Sequence, residues 1–133
     1  MPIYDYKFLL DTVQNKHASA SANSTNEVNF GVVTPKFKDM GLHIVITTAY
    51  AGVNSGTNIK VKTGAATAPT TTVVQRLFTA AQLKVLGGHY FIPIPPNSLL
   101  QYVRAQYYPV TENTAGGVGR LTSWLGPNTG ETI

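Results

Sequence analysis

The chain has 133 residues, 43% of them apolar and 12% charged, about half the charged share of an ordinary globular protein. That length fits one domain with its own core and leaves little room for a second. Thr, Asn and Ser, at 17, 9 and 6 residues, stand where a helical protein would carry Ala, Glu and Lys. The balance excludes a helical bundle, a coiled coil and a disordered chain, and it points to an all-β domain with polar turns.

Residues 1–26 read as an N-terminal arm. A short helix is predicted over residues 4–13, with Tyr4 and Phe8 one turn apart beside Leu9 and Val13. Residues 17–26 have small side chains and nothing to build a core, so this arm is expected to run extended against a surface outside its own domain. The domain proper is expected over residues 27–126, and residues 127–133 form a polar tail.

Period-two alternation predicts strands at residues 27–33, 42–48, 58–63 and 73–78, with a loop around Pro69. Thr79 and Gln82 match a capping box, so one or two helical turns are predicted from Ala80, ended by Gly87. A strand follows over residues 89–94, where Pro93 argues for an edge or a bulge. The longest predicted strands, residues 100–110 and 117–125, flank a turn-rich segment and read as a hairpin. Seven or so short strands indicate a single-domain β-sandwich or jelly roll.

The chain has no Cys, which removes disulfides, thiolate metal sites and Cys nucleophiles. No stretch approaches the roughly 18 apolar residues of a membrane span, so no membrane partner is expected. The opening residues lack the basic and apolar regions of a signal peptide, so synthesis in a cytoplasm is expected. Net charge is +4 because acids are few. Lys60 and Lys62 share one face of a strand, as do Lys36 and Lys38. Either pair reads as a phosphate-binding stripe or as the solvated side of a half-buried strand. Without an accompanying RNA-binding aromatic motif or zinc finger, no nucleic-acid partner is expected.

The six carboxylates, Asp5, Asp11, Glu27, Asp39, Glu112 and Glu131, show no paired spacing for hydrolysis. His17, His43 and His89 are expected to lie apart at polar positions, with no metal. No nucleophile motif or phosphate-cradling loop occurs, so neither catalysis nor a cofactor is expected.

The aromatic residues say more. Tyr102, Arg104, Gln106 and Tyr108 share one face of the first long C-terminal strand, with Val103, Ala105 and Tyr107 on the other. In the second, Val118, Arg120, Thr122 and Trp124 lie opposite Leu121 and Leu125. An unpaired arginine is costly in a dry core, and Tyr, Trp and Arg are enriched where proteins meet. Tyr102, Arg104, Tyr108, Arg120 and Trp124 are therefore candidate interface residues, with Tyr4, Tyr6 and Phe8 of the arm. The same pattern fits amphipathic side chains over an ordinary sheet, with Trp124 in the core.

Three stretches resemble the cement, or decoration, proteins on the heads of short-tailed bacteriophages. They are the small-residue arm and first strand at residues 20–31, the segment Gly88-His-Tyr-Phe-Ile-Pro-Ile-Pro-Pro at residues 88–96, and residues 100–110 followed by 114–121. The resemblance spans residues 18–125 and brings no catalytic residues. It implies a jelly roll that self-associates, as a homodimer rather than a trimer, and clamps neighbouring major capsid protein subunits. The expected location is the outer surface of a virion. The alternative is a carbohydrate- or receptor-binding jelly roll, with Trp124 or a tyrosine as stacking platform, although no Asp/Asn cluster suggests calcium.

Overall fold

Strict alternation of buried and half-buried side chains along Thr57–Gly64 sets the pattern of the whole molecule. The computed structural model describes residues 8–14, 22–31, 39–51, 56–109 and 118–127. Its strands are β1 (Leu9–Gln14), β2 (Ala22–Asn23), β3 (Val28–Asn29), β4 (Met40–Ala51), β5 (Thr57–Gly64), β6 (Thr71–Phe78), β7 (His89–Pro93), β8 (Tyr102–Pro109) and β9 (Val118–Pro127). A single turn of helix, α1 (Ala80–Leu83), follows β6.

Two antiparallel sheets form the all-β sandwich. The first has the order β1-β9-β4-β7, and the second β2-β8-β5-β6 with β3 also paired to β8. The pairing is nested: β1 lies beside β9, β2 and β3 beside β8, β4 beside β7, and β5 beside β6. Two further ladders, β4 with β9 and β5 with β8, complete the sheets.

The core lies between them. Leu42, Ile44 and Ile46 of β4, Tyr90 and Ile92 of β7, and Leu121 and Leu125 of β9 point inward from the first sheet. Ile59, Val61, Phe78, Val103, Ala105 and Tyr107 meet them from the second. Polar ties between described side chains and the opposite sheet cross the gap. The Tyr107 hydroxyl donates to Asp11 Oδ2 at 2.8 Å and lies 2.7 Å from Ser123 Oγ. At the other edge, Arg76 Nη1 donates to the Phe91 carbonyl at 3.3 Å.

The capping box forms as predicted. Thr79 Oγ1 accepts from the Gln82 amide, and Gln82 Oε1 accepts from the Thr79 amide at 2.9 Å. The helix stops early, at Leu83, and Gly87 beyond it has φ +77°, where other residues are strained. β7 is an edge strand of its sheet, as Pro93 requires. Gly41 is needed for close packing, since a Cβ there would collide with the Phe91 ring and the Ile92 carbonyl.

Three expectations are overturned. Over the described part of residues 4–13 the expected helix gives way to a strand: Leu9–Gln14 pairs with β9, and Leu10 is fully buried in the core. Helical spacing is a weak local preference, and an isolated helix that short gains less than a completed ladder. For the same reason the arm does not depend on an outside surface at residues 9–14 and 22–26. Asn26 donates to the Leu10 carbonyl and Ser24 to the Ala105 carbonyl. Lastly, the predicted C-terminal hairpin does not exist, because β8 and β9 belong to different sheets. Alternation places residues on faces but says nothing about which strand is the neighbour. The arm before residue 8, the tail beyond 127, His17, Lys36 and Lys38 lie outside the described residues.

Candidate interaction surface

The outer face of the second sheet is built by β5 and β8 at its centre. Lys62 is the direct cross-strand partner of Arg104, Lys60 of Gln106, and Asn58 of Tyr108. Direct partners share a face, so the i, i+2 spacing of each strand becomes a two-dimensional array. Tyr102 flanks it beside Gly64 and Asn29. Thr72, Gln75 and Leu77 of β6 extend it, with Leu77 49% exposed and Tyr108 46% exposed.

Three cations therefore stand on one sheet face. The Lys60 ammonium lies 4.7 Å from the centre of the Tyr108 ring, a cation–π contact. Lys62 Nζ donates to the Thr70 carbonyl at 3.3 Å. Burial first, then the charges of Lys60 and Arg104, hold the Lys62 ammonium below the ordinary lysine pKa. Arg104 is half-buried, and its Nε is buried without a hydrogen-bond partner. Among the described carboxylates, Asp11 faces inward to Tyr107 and Glu27 accepts from the Ala68 amide. No described carboxylate pairs with these three cations.

The outer face of the first sheet is different. Trp124, His43 and Phe91 are neighbours across β9, β4 and β7, and Trp124 is also the partner of Leu9 in β1. His43 stacks on Trp124 with ring centres 5.1 Å apart and planes 4° from parallel. Trp124, His43 and Leu9 are all buried, at 3%, 1% and 5% exposure. His43 Nε2 lies 2.7 Å from the Pro127 carbonyl, which only accepts, so Nε2 carries the proton. His43 Nδ1 then faces His89 Nε2 at 2.9 Å with a single proton between them. Arg120 sits further along β9, exposed and opposite Thr48.

The eight candidate interface residues therefore separate. Tyr102, Arg104 and Tyr108 share the open face of the second sheet. Arg120 and Trp124 lie on the outer face of the first sheet, and Trp124 is enclosed there, so in the free chain it presents no surface to a partner or a sugar. These residues do not form one surface, because β8 and β9 are in opposite sheets. Phe8 is half-buried, its ring 5.6 Å from that of Phe30, and packs against the core. Tyr4 and Tyr6 lie outside the described residues.

Two features of these faces arise only from long-range pairing. Lys60 and Lys62 were visible as a stripe, but only the β5–β8 register puts Arg104 opposite Lys62. His43 and His89 are not apart but joined, 46 residues distant in sequence, and no local signal announces this. Among the described residues no group of three or more His, Asp or Glu side chains is placed to hold a metal ion, and no described helix is long and apolar enough to cross a membrane. No protein-family model matches this chain, and no curated protein is similar to it.

Proposed function

We propose that this chain is a structural capsid decoration protein that binds the outer surface of a phage head in many copies. Its partners are the major capsid protein and a second copy of itself, and its work is to hold neighbouring capsid subunits together. The observation that carries this reading is the contrast between the two outer faces. Around Trp124 the first sheet is closed, whereas the second presents Tyr102, Tyr108, Lys60, Lys62 and Arg104 to the outside. Tyrosine and arginine on a rigid sheet suit a protein interface, and the cations select an acidic one.

The nested strand order supports reading the sandwich as a jelly roll, in line with the family resemblance. Single contacts of modest strength suffice, because a repeating shell turns many of them into avidity. Mass analysis of purified particles tests the reading. Many copies per mature head, released together with a loss of head stability, is the expected result. Absence from heads, or a few copies at a vertex or tail, overturns it.

A further inference from the structure

The face assigned above to docking has a built-in electrostatic cost. Lys62 and Arg104 are like charges placed directly opposite each other across β5 and β8, with Lys60 two residues away on the same side. Such pairs destabilise a sheet, and burial first, then the charges of Lys60 and Arg104, lower the affinity of Lys62 for its proton. The Arg104 Nε is buried and has no hydrogen-bond acceptor.

We propose that Lys62 and Arg104 are the seat for a carboxylate, supplied by an extended acidic segment of the partner protein lying along β5 and β8. This rests on the reading of that face as the docking surface. One carboxylate takes the fork of the Arg104 guanidinium and the Lys62 ammonium, and it converts a repulsive pair into a charge-assisted one. In an extended segment, acidic side chains two residues apart are spaced by about 7 Å, the same repeat that separates Lys60 from Lys62 along β5. Tyr102 and Tyr108 lie at the two ends of the β8 row and supply apolar contact beside the charges.

An acidic protein segment fits better than nucleic acid. Three cations neutralise at most three phosphates, which gives weak, strongly salt-dependent binding. One of the three, Lys60, already rests on the Tyr108 ring.

The test is a titration of the full chain, followed by amide NMR, with a peptide of alternating Glu and Thr. A Gln-Thr peptide and oligothymidylate of equal charge serve as comparisons. The expected result is shifts confined to β5 and β8 with the Glu peptide, none with the Gln peptide, and weaker binding of the oligonucleotide. Arg104→Gln and Lys62→Gln should each weaken peptide binding by roughly tenfold, the loss typical of one charge-assisted contact. Lys62→Gln should melt no lower than the wild type, which separates a lost seat from a damaged fold. Tighter binding of the oligonucleotide, or unchanged peptide affinity in both variants, overturns the proposal. The same variants assayed on stripped heads keep the two readings apart. Heads that bind wild type and variants equally refute the seat alone, and heads that bind neither refute the decoration function.

Discussion

Replacing Tyr107 by Phe removes one oxygen atom from the middle of the sandwich and should be among the costlier small changes in this protein. The hydroxyl gives its only proton to Asp11 Oδ2 at 2.8 Å and so accepts from Ser123 Oγ at 2.7 Å. Asp11, Ser123 and Tyr107 are each 0% exposed. Through these atoms β8 of one sheet is tied to β1 and β9 of the other. The second Asp11 oxygen accepts from the Thr25 amide at 2.8 Å, which also holds the chain just before β3. A hydrogen bond to a carboxylate contributes about 1.5–3 kcal/mol, and a buried group deprived of its partner adds a desolvation penalty of similar size. Since Phe keeps the ring and its packing, the expected loss is about 2–4 kcal/mol. At this chain length each kcal/mol moves the melting temperature by roughly 3–5 °C, so Tyr107→Phe should melt on the order of 10 °C lower. Calorimetry and urea unfolding measure the loss. A double-mutant cycle with Ser123→Ala should show a coupling of about 0.5–3 kcal/mol. A variant within about 0.5 kcal/mol of wild type, or strictly additive losses, would refute the account of this tie.

Three further outcomes are expected. Trp124→Ala should cost about 3–5 kcal/mol of folding stability, because it empties a buried site between Leu9 and His43; an unchanged melting temperature with weakened head binding would restore Trp124 to the interface. Lys62→Gln should raise stability most near neutral pH. Native Lys62 loses its proton below the ordinary lysine value while the unfolded chain keeps it, so the wild type gains stability as pH rises through that interval. The advantage of the variant should shrink toward about pH 10.5, and thermal melts at several pH values showing a constant difference would contradict this. Thr79→Ala should cost about 1 kcal/mol through the lost cap, visible as faster amide exchange at Gln82 and Leu83, whose amides meet Thr79.

Most strands could be read from the sequence because their causes are local. The alternation of Leu42, Ile44 and Ile46 with His43, Val45 and Thr47 is a property of β4 alone, and so is that of Ile59 and Val61 with Lys60 and Lys62. The Thr79–Gln82 capping box and the edge position of Pro93 follow from the hydrogen-bonding chemistry of those residues, whatever lies nearby. Composition alone sufficed for the all-β class. Only the tertiary structure decided which strands are neighbours, since backbone ladders form between any two extended segments and carry no address in sequence. That choice separated β8 from β9, turned residues 9–14 from an expected helix into a ladder with β9, and closed the first sheet over Trp124. It also joined His43 to His89 and set Arg104 opposite Lys62. The candidate docking face exists because of that register: its tyrosines and cations are legible one strand at a time, but their meeting is a consequence of long-range pairing.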